Sequence, residues 1–281
     1  MTTCPVCRTV TRPTSVWVTT DQDYRVGVCP RCGLAATFPR PTPEQLEHFY
    51  GSHYFEAATS LGYDNYAGDS LAEINAERYW HELPQWVLEV STLEPRRVLD
   101  VGGATGGFAA AAKVAGWDAV VFDVGESARA ASEAKGLRTV SRMEDATGPF
   151  PLITMFHVVE HLIDPIETLR QARALIADEG VLVIEVPQWR SMGRLVRRRR
   201  WAQFRPPEHI NFFTQASIRM PLSSAGWKVE RATTTYPRAG QLAISRVRDR
   251  DVRGAASWTA RWAVGTVGLG AYLRVVARPS R

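Results

Sequence analysis

No cysteine occurs after Cys32 in a chain of 281 residues, and the four present stand at Cys4, Cys7, Cys29 and Cys32. A secreted scaffold stapled by scattered disulfides is thereby excluded, because its bridges would have to reach the body of the chain. The sequence also lacks a long apolar run free of glycine and charge. The longest apolar stretch, at 262–276, is broken by glycines and followed by arginines, which does not read as a bilayer span. No basic segment followed by an apolar one opens the chain, so the expected location is the cytoplasm. Neither sign of charge dominates: 34 Lys and Arg against 29 Asp and Glu leave +5, which by itself points to no polyanionic partner. Internal repeats are absent as well. With 45% hydrophobic and 22% charged residues, the composition excludes disordered and collagen-like chains and suits one large domain or two small ones.

The cysteines that are present form a pattern. Cys4-x2-Cys7 and Cys29-x2-Cys32 are separated by 21 residues, so two knuckles joined by a short hairpin can close four thiolates around Zn2+. Gly33, directly after the second knuckle, lets backbone amides approach sulfur. Four protein ligands leave a metal no open position, so structural zinc on Cys4, Cys7, Cys29 and Cys32 is the expectation. Short β-prone runs at 15–20 and 24–28 lie between the pairs. The expected organisation is a zinc-ribbon module at 1–40, a helical and aromatic lid at 41–92 and a third unit at 93–281. The lid carries Tyr50, Tyr54, Tyr63 and Tyr66, whose rings can exclude water and whose hydroxyls can orient a substrate.

From residue 97 short apolar runs alternate with helical segments. Strands are expected at 98–101, 119–123, 138–140, 152–156 and 181–186, with helices at 107–115, 127–135 and 165–177. That succession builds a doubly wound parallel sheet. A helix at 214–225, a strand at 228–232, a helix at 257–270 and an antiparallel strand at 272–277 bring the sheet to seven strands.

Between the first of these strands and its helix lies Val98-Leu-Asp100-Val-Gly102-Gly-Ala-Thr-Gly106-Gly107-Phe. Glycines there let the backbone approach a ligand, and Asp100 can order the turn or accept from a ligand amine. Asp123 follows about 20 residues on, at the end of the next strand, where a carboxylate accepts two ribose hydroxyls of an adenosine. Asp145, after the third strand, is placed to reach the adenine amine. A nicotinamide loop would read G-x-G-x-x-G. Instead the loop resembles the D-x-G-x-G-x-G of class I S-adenosylmethionine-dependent methyltransferases, with Ala104 at the middle glycine. Residues 155–165, 179–187 and 207–214 resemble the segment after strand four, strand five and the active-site loop of that family. With its cysteine module the chain is similar to bacterial small-molecule methyltransferases, deoxysugar C-methyltransferases among them. The resemblance implies a Rossmann-like seven-stranded α/β fold with S-adenosylmethionine held by Asp100, Gly102, Gly103, Gly106, Asp123 and Asp145. It implies O- or C-methylation of a small acceptor, such as a sugar nucleotide or a natural-product or glycan intermediate.

Methyl transfer from a sulfonium is an in-line displacement, so the protein must align the acceptor and remove a proton where one leaves. Histidine suits that task near neutral pH. His157, His161 and His209 fall in the two segments expected to border the methyl group, and His209 is the expected base because its loop follows the fifth strand. His157-x-x-Glu160-His161 also spells the inverted zinc-protease signature. It follows an apolar strand directly and meets Asp164-Pro165, which works against the unbroken helix that motif needs. Arg190, Arg194 and the run Arg197, Arg198, Arg199 and Arg200 precede Trp201. Guanidinium forks there, Arg198 among them, suit a phosphate-bearing substrate; a solvated loop is a second reading, and a nucleic-acid surface with Trp189 and Trp201 stacking bases is a third. No nucleic-acid module is recognisable. The rival reading of the whole chain is a non-catalytic zinc-ribbon scaffold that binds a partner or nucleic acid and carries a vestigial cofactor pocket. Ala104, and Pro151 where an acid would follow Phe150, are the features that point to it.

Overall fold

The computed structural model describes residues 1–12, 14–18, 24–42, 44–46, 87–88, 90–235, 265 and 267–280. Strands β1 (Thr2–Thr3) and β2 (Val10–Thr11) form a small ribbon around the first cysteine pair. Strands β3 (Thr14–Val18), β4 (Arg25–Val28) and β5 (Ala35–Phe38) form an antiparallel sheet. The alternating part follows as β6 (Arg97–Val101), α1 (Gly107–Val114), β7 (Asp118–Phe122), α2 (Glu126–Ala134), β8 (Arg138–Val140) and β9 (Phe150–Phe156). It continues through α3 (Pro165–Leu175), β10 (Ile176–Pro187), α4 (Met192–Arg197), β11 (Asn211–Phe212), α5 (Arg219–Ser224), β12 (Trp227–Thr235) and β13 (Tyr272–Pro279).

The large sheet has seven strands in the order β12-β13-β10-β9-β6-β7-β8. Strands β6 to β10 pair in parallel, whereas β13 inserts antiparallel between β10 and β12. Both faces are covered, which is why these strands read as continuous apolar runs. The period-2 pleat divides them. Val98, Leu152, Val181 and Val183 join Phe108 and the alanines of α1 in one core. Leu99, Ile153, Leu182 and Ile184 join Leu169 of α3, Leu222 of α5 and Trp227 in the other. Ala109, Ala110 and Ala112 are fully buried, and their small side chains let α1 lie close to the strands. Asp164 caps α3 by accepting from the Glu167 N–H at 3.3 Å, with Pro165 in the first turn.

Several elements differ from the sequence-based expectation. The helix expected at 165–177 stops at Leu175, and β10 begins at once with an irregularity between Ile176 and Val181. The helix expected at 214–225 contracts to α5. Upstream of it Thr214 and Ser217 bond each other's backbone, the Thr214 N–H to Ser217 Oγ at 2.9 Å and the Ser217 N–H to Thr214 Oγ1 at 3.0 Å, a local alternative to helix. Strand β5 was not expected, and neither was β11. These two pair, Ala36 with Asn211 and Ala35 with Phe212, so the sheet around the cysteine pairs takes its fourth strand from far downstream. The expected lid apart from its ends, with Tyr50, Tyr54, Tyr63 and Tyr66, and most of the expected helix at 257–270 lie outside the described residues. No helix among the described residues is long and apolar enough to cross a membrane.

Trp227 anchors the core between β12 and α3. It is 1% exposed, and its indole N–H donates to the Leu169 carbonyl at 2.9 Å. Trp227→Ala is expected to cost about 3–5 kcal/mol through lost transfer energy and the cavity left, measured by chemical denaturation.

Candidate functional site

The glycine-rich turn after β6 is held from inside the protein. The Gly102 N–H donates to the Phe122 carbonyl at 2.7 Å, which ties the turn to the end of β7. Gly106, with φ 79°, begins α1, and a Cβ there would lie 2.5 Å from Leu137. A Cβ on Gly103 would lie 2.6 Å from the Asp100 carboxyl. Ala104 adopts the left-handed region without being glycine, at φ 47°. Its N–H donates to Asp123 Oδ2 at 2.9 Å and its carbonyl accepts from Ser132 Oγ at 2.9 Å, bonds that offset the about 1–2 kcal/mol the conformation costs an L-residue.

Two carboxylates flank that turn. Asp100 is 2% exposed and accepts from Thr154 Oγ1 at 2.8 Å. Burial pushes its carboxyl up to about 7, against the pull of the Thr154 bond and with the help of the nearby Asp123 charge. Asp123 accepts the Ala104 and Gly125 N–H groups, one on each oxygen, at 2.9 and 2.8 Å. Burial raises it too, partly offset by those bonds. Each Asp123 oxygen keeps a second lone pair for an outside donor. A turn whose amides, glycines and buried acids are arranged in this way fits an adenosine-bearing ligand. Asp145 ends a one-turn 3-10 helix (Met143–Asp145) and is exposed.

The four thiols also converge. Cys4 and Cys32 Sγ lie 3.5 Å apart, Cys7 and Cys29 3.6 Å, and all four fall within 4.8 Å of one another. Tetrahedral zinc with bonds of about 2.3 Å places sulfurs about 3.8 Å apart, so the set fits that ion. The two knuckles repeat one geometry. Arg8 and Gly33, each following a second cysteine, take φ 55° and 73°, and their N–H groups return to the Cys4 and Cys29 carbonyls at 3.1 and 2.9 Å. The Cys32 contact pulls the Cys4 thiol down to about 5.

A buried polar cluster forms where β9 and β10 end. His157, at φ 55°, has its Nδ1 3.3 Å from Glu160 Oε1 and its Nε2 3.6 Å from Glu185 Oε1. Burial works against its charge, but those two carboxylates prevail and raise it to about 10. Glu185 also pairs with Arg274, and Arg205 Nε lies 3.1 Å from Glu208 Oε2. Glu160, Glu185 and Glu208 are all at most 1% exposed. His161 and Glu160 sit in a 3-10 turn (Val159–His161) rather than a long helix, as Asp164-Pro165 implied. His161 Nδ1 meets the Glu208 carbonyl at 2.9 Å and His209 Nδ1 the Gln203 carbonyl at 2.8 Å. A carbonyl only accepts, so both Nδ1 atoms carry the proton. The two rings meet edge to face at 4.8 Å. His209 is 2% exposed, and burial with the adjacent His161 lowers it to about 3. His157 keeps 34% of its side chain open.

The segments carrying these histidines are fixed by Arg40. Its guanidinium donates to the Ile210 carbonyl at 2.8 Å, Asn211 Oδ1 at 2.9 Å, the Leu162 carbonyl at 3.2 Å and the Ile163 carbonyl at 3.0 Å. Sequence reasoning missed Arg40, whose partners are mostly backbone. It also passed over Glu185, although a lone acid inside the apolar run of β10 was a readable signal. Arg198, at φ 50°, begins a short 3-10 turn (Arg198–Arg200) exposed at the surface. Trp189 and Trp201 beneath it are 4% and 7% exposed and pack with Phe212, so they offer no open stacking surface.

A family model described as a methyltransferase domain matches residues 74–232, more than half of the chain. No curated protein sequence matches. Among solved structures, a magnesium protoporphyrin IX methyltransferase from Synechocystis PCC 6803 with bound SAH superposes with a TM-score of 0.55. It is 12% identical over 84% of this chain and 98% of its own. The CcbJ methyltransferase from Streptomyces caelestis gives 0.52 at 14% identity, over 76% of this chain and 98% of its own. A Haloferax volcanii complex of the Trm112 methyltransferase activator and a methyltransferase gives 0.54 at 15% identity, over 77% of this chain and 96% of that one. At these identities the likeness establishes the seven-stranded, class I methyltransferase fold.

Burial of Asp100 makes stability depend on pH. Because its folded-state carboxyl is raised to about 7, the unfolded chain releases the proton first, near 4. Stability from this group therefore falls as pH rises between those values. Unfolding midpoints of the ligand-free protein between pH 4 and 8 are expected to fall less steeply in Asp100→Asn than in the wild type.

Proposed function

The chain belongs to the methyltransferase-domain family, and on that premise we propose that it methylates a small molecule using S-adenosylmethionine. The turn at 102–106, with Asp123 bonded across it to Ala104, carries this reading. Bound there, the cofactor supplies an electrophilic methyl group on a sulfonium. Gly102, Gly103 and Gly106 let the turn that would hold it pack against Val158, Asp100 and Leu137, with which side chains at those positions would collide. Asp100 accepts from its amino group, Asp123 from its ribose hydroxyls, and Asp145 reaches its adenine amine from the rim. Ala104 keeps the required turn, so its methyl group does not speak for a vestigial pocket.

Burial favours His157 over His209 as the histidine that meets the acceptor. Held between Glu160 and Glu185, its ring orients an acceptor hydroxyl toward the methyl group, and the proton which that hydroxyl loses on methylation passes to this imidazole–carboxylate cluster. His161 and His209 support it from behind. Exposed Arg198 and its neighbours suit an acceptor that bears phosphate, such as a sugar nucleotide or a glycan intermediate, to be modified on oxygen or carbon. The lid tyrosines Tyr54, Tyr63 and Tyr66 belong to the same proposal. The zinc-ribbon module at 1–40, with zinc on its four thiolates, is assigned a structural role, and the unit at 93–281 binds the cofactor.

Calorimetric titration with S-adenosylmethionine tests the reading. Micromolar binding is expected for the zinc-loaded protein, with at least about tenfold weakening in Asp123→Ala from the loss of charge-assisted hydrogen bonds. Absence of binding by the folded wild type overturns it in favour of a scaffold. With a competent acceptor, His157→Gln is expected to lower turnover about 100-fold while leaving cofactor affinity intact. Removing zinc with a chelator is expected to lower the melting temperature and to abolish hydrogen-exchange protection in β11, because β11 pairs with the module the metal holds.

A further inference from the structure

We propose that Glu160, His161 and His209 form a second metal site, for a borderline divalent ion such as Zn2+, separate from the four cysteines. One ligand atom from each residue lies within 4.8 Å of those of the other two. Two independent features point to an ion. The first is Glu160, 1% exposed, whose two carboxylate oxygens have no aligned hydrogen-bond donor among the described residues. His157 Nδ1, at 3.3 Å, is its nearest ion-pair partner but is not aligned for a hydrogen bond. A buried carboxylate left in that state is costly, and coordination is a standard remedy. The second is the state of both imidazoles. The Glu208 and Gln203 carbonyls hold their Nδ1 protons, which turns Nε2 into the electron-pair side, the arrangement that outer-shell carbonyls impose on metal-bound histidine.

The donor set selects the ion. Two imidazole nitrogens with one carboxylate suit zinc or ferrous iron, whereas calcium and magnesium require oxygen cages. The separation is close to what is needed: His161 Nε2 stands 3.8 Å from Glu160 Oε1, against about 3.3 Å between ligands of a tetrahedral ion with bonds of about 2.0–2.1 Å. Three protein ligands leave one position for water or for an oxygen of a bound molecule. The ligands come from two distant segments, so the ion would clamp the turn after β9 to the loop before β11. This inference does not require the methyl-transfer reading.

The test loads the full-length protein with zinc, removes excess metal, and measures metal content together with X-ray absorption. An equivalent of zinc with a nitrogen and oxygen shell, beyond any sulfur-bound one, is expected in the wild type. Glu160→Gln and His209→Gln are expected to lose that equivalent and keep the sulfur-bound one. Zinc bound through sulfur alone in the wild type overturns the proposal whether or not the variants fold. So does a nitrogen and oxygen shell that persists in folded variants. S-adenosylmethionine titration of the same sample reports on the methyl-transfer reading separately, since its ligands are other residues.

Discussion

The pairing of β5 with β11 is the constraint on which the candidate site depends. β5 leaves the second cysteine knuckle directly, and β11 follows His209 and Ile210 directly. The Thr37 N–H donates to the Ile210 carbonyl at 3.0 Å and Thr37 Oγ1 to the His209 carbonyl at 3.2 Å. Arg40 extends the grip to the segment after His161, and Arg8 of the first knuckle reaches Asp164 at 2.5 Å. The cysteine module is therefore a jig for two loops of the larger sheet. A surface ion pair such as Arg8 with Asp164 adds little by itself, but the buried backbone pairing beside it does not depend on charge. Shifting the register by one residue would turn Asn211 and Phe212 to opposite faces.

Around the glycine turn the protein accepts a cost for shape. Asp100 and Asp123 are both buried near one another, and both carboxyls are raised by it. A fold selected only for stability would replace one of them. Three bonds from Thr154, Ala104 and Gly125 limit the cost without cancelling it. The outcome is a turn shaped before any ligand arrives, so binding need not order it. The cluster at the ends of β9 and β10 follows the same logic, with three buried glutamates balanced by His157, Arg205 and Arg274.

Most of the large sheet was legible because buried parallel strands bounded by glycine and proline leave a strong local signature. β8, β9 and β13 start or end within two residues of expectation, and the place of Asp100, Gly102, Gly106 and Asp123 in a strand-turn-helix unit followed from spacing alone. What was not legible depends on distant partners. β11 is two residues long and is a strand only because β5 lies alongside it. Nothing local ends α3 at Leu175, where the chain passes directly into β10. His209 read as the expected base because its loop follows the fifth strand, while the covering Gln203 carbonyl and Arg205 were invisible. Trp189 and Trp201 read as open platforms for a similar reason: their cover, Phe212, belongs to the unexpected strand.

The same pairing has a temporal side. Ribosomes deliver the amino end first, so Ala35–Phe38 emerges long before Asn211–Phe212. Until then one margin of the nascent sheet lacks its neighbour, and unpaired margins invite foreign strands. β10 waits likewise for β13, which must slot between it and β12. Synthesis of this protein thus carries two open seams at once, both sealed late.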